Sequence, residues 1–141
     1  MDKELIISRI CEGGLVAVVR ADTGEQARRI ADACLEGGVA AIEVTFTVPG
    51  AHRVIEALAA AYPGNEMLLG AGTVLDSETA RIALLSGAQY IVSPGFDEGT
   101  IRLCNRYRVP VMPGIMTVTE AIRAMEAGAD MLKVFPAGLF G

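Results

Sequence analysis

One lysine and one glutamate interrupt apolar segments of this chain, and both could do chemistry. Lys133 stands inside Met131–Pro136, which has the character of a buried strand, and Glu43 stands in the same way inside Val39–Thr45. Lysine is rarely buried unless it is paired or used. An amine held in an apolar pocket can attack a ketone and form a Schiff base. The alternative is a lysine at a strand end whose ammonium group reaches water.

Glu43 and Lys133 occupy matching positions in a repeated segment. In each copy a helix ends on glycine, a small residue turns the chain, and an apolar strand carries a polar residue inside it. Because strand side chains alternate between two faces, Glu43 points inward if Lys133 does. Two opposite charges on one inner face form either a structural ion pair or a pair that takes part in a reaction. The three copies span residues 36–46, 86–94 and 127–136.

The elements that must position these residues alternate between strand and helix. The strands are near-continuous apolar runs, which is typical of parallel strands covered on both faces. A repeat of two strand-helix units suits an α/β fold of the (β/α) barrel type, with residues 1–141 as a single domain. We predict strands over 15–20, 39–45, 67–70, 89–93, 109–112 and 130–135, and helices over 23–36, 49–62, 77–86, 98–106 and 117–128, preceded by a short amphipathic segment over 3–12.

Composition argues against several classes of function. The net charge of −5 disfavours binding to nucleic acids and to anionic membranes, so an anionic ligand needs a local positive charge. The three cysteines show no CxxC spacing, and we predict neither a disulfide framework nor a metal site. No apolar run approaches the ~18 residues of a membrane span, and the charged N-terminus is no signal peptide. We therefore expect a cytoplasmic protein.

Two further features have an expected structural role. Gly70-Ala71-Gly72 lacks the third glycine and the acidic partner of a dinucleotide-binding loop, so we predict no nucleotide cofactor. Tyr90 and Tyr107 are expected to pack with their hydroxyls near the surface.

Five motifs carry a family resemblance, and they follow one another at the family's spacing from residue 15 to the end. They are Glu-Val-Thr (43–45), Gly-Ala-Gly-Thr-Val (70–74), Ser-Pro-Gly (93–95), Met-Pro-Gly-Ile-Met-Thr (112–117) and Leu-Lys-Val-Phe-Pro (132–136). The chain resembles 2-keto-3-deoxy-6-phosphogluconate (KDPG) aldolase and the related 4-hydroxy-2-oxoglutarate (KHG) aldolase. This resemblance implies a class I aldolase on a TIM (β/α)8 barrel, a homotrimer with no metal or other cofactor.

The resemblance also implies roles for individual residues. Lys133 corresponds to the Schiff-base lysine and Glu43 to the general acid/base. Thr73 corresponds to the threonine that contacts the pyruvyl part of the substrate, and Phe135 to the aromatic residue beside the imine. Pro94, in the Ser-Pro-Gly motif, is expected to help bind the substrate.

The substrate carboxylate needs a cation, which two groups of relatives supply differently. Some relatives use an arginine at the position of Thr47. Others, with the same Thr-Phe-Thr-Val-Pro run, use an arginine at the end of the first strand, and Arg20 fits that role.

The function that the resemblance implies is cleavage of KDPG or 4-hydroxy-2-oxoglutarate to pyruvate and an aldehyde. One alternative is a catalytically inactive barrel subunit that acts as an assembly scaffold. A second is a small doubly wound binding domain, although such a domain has no use for a lysine inside its sixth strand.

Only six of the eight strand-helix units of such a barrel are predicted here. We expect the last two to be missing, and the phosphate site of such barrels usually lies in their loops. Three outcomes are open: a fragment of a longer gene product, an open sheet covered by a partner chain, or chains that complete one another's barrels.

Overall fold

The computed structural model describes residues 1–141 as a five-stranded parallel sheet followed by a two-stranded parallel sheet, with helices between the strands. All strand pairs are parallel, and neighbours in the sheet are neighbours in the chain. This arrangement is part of a barrel, and the predicted strand-helix order is confirmed. The strands are β1 (Ala17–Val19), β2 (Ala41–Thr45), β3 (Leu68–Gly72), β4 (Tyr90–Val92), β5 (Val111–Met112), β6 (Gly114–Ile115) and β7 (Lys133–Val134).

Six α-helices accompany the strands, and none has the length and apolar character needed to cross a membrane. Four begin at a Thr or Asp whose side-chain oxygen accepts a hydrogen bond from a backbone N–H three residues later. Such caps satisfy backbone donors that the helix itself leaves unpaired. The helices are α1 (Lys3–Gly13), α2 (Gly24–Glu36), α3 (Ala51–Ala61), α4 (Ser77–Leu85), α5 (Glu98–Arg106) and α6 (Val118–Glu126), and a short 3-10 helix (Ala137–Leu139) follows β7.

Pro113 divides the fifth strand into β5 and β6, which the sequence analysis missed. Proline has no N–H to donate to a neighbouring strand, so the ladder is interrupted at this residue. Its carbonyl oxygen still accepts a hydrogen bond from the backbone N–H of Lys133 (2.9 Å). The pair β6–β7 therefore follows the five-stranded sheet as a two-stranded sheet of its own, and Lys133 lies opposite Gly114.

The core has two layers, one on each face of the sheet. The larger layer lies between the sheet and the helices and contains outward side chains such as Ile42 and Ile91. The smaller layer lies on the concave inner face, where Ile6 and Ile10 of α1 pack against residues at the starts of the strands. Helix α1 thus closes the amino end of the sheet and leaves its carboxyl end open. The inner layer comprises Ile6, Ile10, Ala41, Leu68, Tyr90, Val92 and Met112.

A largely buried ion pair fastens α1 to the segment before β7. Lys3 Nζ lies 2.8 Å from Asp130 Oδ1 and donates to Asn105 Oδ1 (2.9 Å). Asp130 Oδ2 also accepts a hydrogen bond from the backbone N–H of Val111 (3.0 Å). One carboxylate thus joins the N-terminal helix, β5 and the approach to the strand that carries Lys133.

We expect Asp130→Ala to lower the free energy of unfolding by about 2–4 kcal/mol, because it leaves the Lys3 ammonium and the Val111 N–H without their partner. Urea unfolding followed by circular dichroism measures this loss. The control is Arg108→Ala, which removes only exposed ion pairs with Asp2 and Glu4 and should change stability little. Equal losses in both variants would contradict the assigned role of Asp130.

Candidate active site

Glu43 and Lys133 meet on the concave face of the sheet. Glu43 lies opposite Val18 of β1 and Gly70 of β3, and Lys133 projects from β7 on the far side of the face. Lys133 Nζ lies 3.9 Å from Glu43 Oε1. The inward-facing pair expected from the repeated segment is therefore confirmed.

Two glycines of β3 make room for this arrangement. A Cβ atom at Gly72 would lie 2.6 Å from Glu43 Oε1, and a Cβ atom at Gly70 would overlap the ring of Tyr90. Because contacts this short do not occur, a side chain at either position would displace its neighbour. The Gly-Ala-Gly segment thus clears space for the Glu43 carboxylate and for an aromatic ring beside it.

Burial dominates the electrostatics of Glu43. Its side chain is only 6% exposed. The loss of hydration raises the pKa of Glu43 above its ordinary value of 4.5, while the positive charges of Lys133 and Arg20 pull that pKa down. A carboxyl group with a raised pKa exchanges protons more readily near neutral pH, which suits a general acid/base.

An apolar cavity of about 230 Å³ lies beside the pair. Its walls come from β1, β4, β5 and the segment before β7, with Glu43 and Lys133 as the polar groups. The cavity is lined by Val16, Val18, Glu43, Val92, Met112, Met131, Leu132 and Lys133.

The predicted dry pocket around the amine is only partly present. The side chain of Lys133 is 31% exposed, and Val18 on the opposite edge is 49% exposed. The reason is that β1 and β7 each have one neighbouring strand, so the concave face is open between them. The carboxylate is therefore desolvated more strongly than the amine.

Thr73 and Phe135 lie near the pair, at or beyond the carboxyl ends of their strands. Thr73 Oγ1 is 2.8 Å from Thr45 Oγ1, which is in turn 3.1 Å from Thr47 Oγ1. Three hydroxyls thus form a chain at the ends of β2 and β3. The Phe135 ring centroid lies 5.0 Å from Lys133 Nζ, within range of a cation–π interaction.

Arg20 and Pro94 each lie just beyond the carboxyl end of a strand. Arg20 is exposed just after β1, and its charge acts on Glu43 as described above. Pro94 follows β4, and its backbone packs so closely on Gly114 that a Cβ atom there would overlap it. Because Gly114 lies opposite Lys133, Pro94 borders the strand pair that carries the amine.

No group of three or more His, Cys, Asp or Glu side chains is placed to hold a metal ion.

Comparison with known proteins identifies the family. Residues 6–141 match the family described as KDPG and KHG aldolase. The chain belongs to this family. It is 41% identical over 127 residues to 2-dehydro-3-deoxy-phosphogluconate aldolase of Treponema pallidum, covering 90% of this chain and 60% of that protein. It is 39% identical over 127 residues to 2-dehydro-3-deoxy-6-phosphogalactonate aldolase of Escherichia coli, and this match covers 90% of this chain and 62% of that protein.

The fold matches a solved aldolase of the same family. The structure of KDPG aldolase from Legionella pneumophila, with pyruvate captured at low pH as a covalent carbinolamine intermediate, superposes with a TM-score of 0.82. Sequence identity is 29%, and the match covers 88% of this chain and 59% of that one. The chain thus spans about 60% of the length of the family members compared here.

Sequence analysis predicted the wrong environment for Tyr90. Its hydroxyl was expected near the surface, but the side chain is fully buried and donates a hydrogen bond to the carbonyl oxygen of Ile42 (2.5 Å). The available signal was its position at the start of an apolar strand, two residues before Val92 on the same face. Tyr107, by contrast, is exposed as predicted.

We expect the stability contributed by Glu43 to decrease as the pH rises from 4.5 towards the raised pKa of Glu43. In that interval the folded protein keeps a proton on Glu43 that the unfolded chain has released, so a higher pH favours unfolding. The measurement is urea unfolding of wild type and Glu43→Gln at several pH values. The difference, wild type minus variant, should fall across the interval and level off above it.

Glu120→Gln is the matched control, because the stability that Glu120 contributes should depend on pH in the opposite direction. Backbone N–H groups of Met116 and Thr117 lower the pKa of Glu120, so its contribution should be lost as the pH falls below 4.5. The free energy of unfolding of the wild type, minus that of Glu43→Gln, should fall with pH. A difference that stays constant or rises would refute the raised pKa of Glu43.

Proposed function

We propose that this protein is a class I aldolase that cleaves KDPG or 4-hydroxy-2-oxoglutarate to pyruvate and an aldehyde. The observation that carries the proposal is the placement of Lys133 Nζ 3.9 Å from the buried Glu43 carboxylate, beside an apolar cavity. Family membership supports the same reaction, since the relatives are named as aldolases and one of them holds pyruvate as a covalent carbinolamine.

In the proposed mechanism, Lys133 first forms a Schiff base. Its free amine attacks the C2 ketone of the keto acid to give a carbinolamine. Glu43 in its protonated form donates a proton to the C2 hydroxyl, which leaves as water, and an iminium ion remains. Phe135, 5.0 Å from the amine, would pack beside this cation.

Carbon–carbon cleavage then uses the same two groups. Glu43, now a carboxylate, accepts the proton of the C4 hydroxyl, and the aldehyde leaves as the C3–C4 bond breaks. The bonding electrons pass into the iminium ion, which becomes an enamine. Glu43 returns the proton that it took from the C4 hydroxyl to C3 of the enamine, which becomes an iminium ion again. Attack of water on this iminium ion releases pyruvate and restores the Lys133 amine.

The remaining site residues would orient the substrate. We propose that Arg20 binds the carboxylate of the keto acid and that the Thr73 hydroxyl contacts its pyruvyl part, with Pro94 bounding the site. The names of the relatives support a phosphorylated keto-deoxy sugar acid but differ in the sugar, gluconate or galactonate. We also propose that the protein is cytoplasmic and forms a homotrimer.

The decisive measurement is trapping of the Schiff base with pyruvate and sodium borohydride. The chain has only two lysines, Lys3 and Lys133, so peptide mass mapping separates their adducts from each other and from that of the N-terminal amine. We expect the reduced pyruvyl group on Lys133.

The matched variants for this measurement are Lys133→Arg, which should lose the adduct, and Lys3→Arg, which should keep it because arginine can still pair with Asp130. A folded protein with no adduct on Lys133 would exclude the aldolase and favour the scaffold alternative.

Replacement of the proton-transfer group should separate Schiff-base formation from cleavage. We expect Glu43→Gln to lower kcat for aldol cleavage by about 10²–10⁴-fold, since glutamine cannot accept or donate the proton. Prolonged incubation with pyruvate and borohydride should still label Lys133 in this variant. Cleavage at the wild-type rate would show that another group transfers the proton.

A further inference from the structure

Tyr90 lies in the same row of the sheet as Glu43. Glu43 is opposite Gly70 of β3, and Gly70 is opposite Tyr90 of β4. Because Gly70 has no side chain, the Tyr90 ring covers the backbone of β3, where a Cβ atom would overlap it. The ring is fully buried in the inner layer, so it extends the apolar packing below α1 up to the carboxylate.

The Tyr90 hydroxyl acts on the backbone that holds Glu43. It donates a hydrogen bond to the carbonyl oxygen of Ile42 (2.5 Å), which belongs to the peptide group joining Ile42 to Glu43. Burial and the nearby charge of Glu43 raise the pKa of Tyr90 well above its ordinary value, so the hydroxyl keeps its proton and remains a donor. A hydrogen bond from β4 to β2 thus spans β3.

We propose that Tyr90 is a positioning residue for Glu43, in which the ring excludes water from one side of the carboxylate and the hydroxyl fixes the peptide group from which it projects. The inference rests on the proposed aldolase function for its catalytic consequence. Its structural part concerns Tyr90, Gly70 and Glu43 alone and can be tested separately.

The groups facing Glu43 divide its environment into a charged and an apolar side. Lys133 from β7 and Arg20 after β1 supply positive charge, while β3 supplies only Gly70 and Gly72 on this face. Tyr90 is the titratable group on the β4 side, and it stays neutral. Loss of the ring would therefore admit water on the apolar side and leave both cations in place.

Deuterium exchange of the pyruvate methyl group isolates the step that Glu43 performs. Exchange in D2O, followed by proton NMR, requires both the Schiff base on Lys133 and proton transfer at C3. We expect Tyr90→Phe to slow exchange roughly 3- to 10-fold, as loss of one hydrogen bond implies. The amount of borohydride-trapped adduct at saturating pyruvate should not change.

Tyr107→Phe is the matched control, because it removes the hydroxyl of an exposed tyrosine that stacks on Arg81 away from the site. This variant should exchange at the wild-type rate, and the melting temperature of each variant reports whether it is folded. Wild-type exchange in Tyr90→Phe, or a parallel loss of exchange and adduct, would overturn the role of the hydroxyl.

The role of the ring is tested by a pH titration of the Glu43 carboxyl group, followed by NMR of protein labelled with 13C-glutamate. The signal of Glu43 is identified as the one that is lost in Glu43→Gln. Tyr90→Leu should shift this titration to lower pH because water reaches the carboxylate, and Tyr90→Phe should leave it in place. An unchanged titration in Tyr90→Leu would overturn the proposal. This readout needs no turnover, so it still tests Tyr90 if the wild type forms no pyruvate adduct.

Discussion

The structure depends on one constraint, which is that a carboxylate is buried on the inner face of a parallel sheet. A buried charge without a partner costs several kcal/mol, so the surroundings of Glu43 must compensate it or hold its proton. The positive charges of Lys133 and Arg20 compensate part of the charge on Glu43. The pKa of Glu43 is still raised, so the effect of burial is larger than the effect of the two cations. The residual imbalance is useful, because a carboxyl group that is easily protonated can serve as both acid and base in one reaction cycle.

Parallel topology brings these groups together from distant parts of the chain. Each strand of the alternating pattern places its carboxyl end at the same edge of the sheet. Glu43 and Lys133, ninety residues apart, therefore meet through register and not through a local motif. Helix α1 closes the opposite edge with Ile6 and Ile10, and the ion pair of Lys3 with Asp130 fixes that closure to the segment before β7. The carboxyl end of the sheet is left open to solvent.

The sequence predicted the parts of this arrangement that follow from periodicity. Apolar runs, glycine stops and helix caps identify six strand positions. The matching positions of Glu43 and Lys133 in the repeated segment, with the period of two along a strand, predict that both lie on one face. Features that depend on neighbouring strands could not be predicted in the same way. The apolar strand that contains Tyr90 indicates that the residue is buried, but it does not reveal that the ring covers Gly70 of the neighbouring strand. The exposure of Lys133 likewise depends on the unpaired edges of β1 and β7.

The two charges of the site are buried unequally. Glu43 is enclosed by protein, whereas Lys133 keeps part of its surface in water. Lys133 also lines the apolar cavity beside the pair. Under the proposed function, a keto acid in this cavity would cover the amine with its own apolar carbons. Desolvation of the lysine would then accompany binding, whereas the Glu43 carboxylate is already buried in the protein alone.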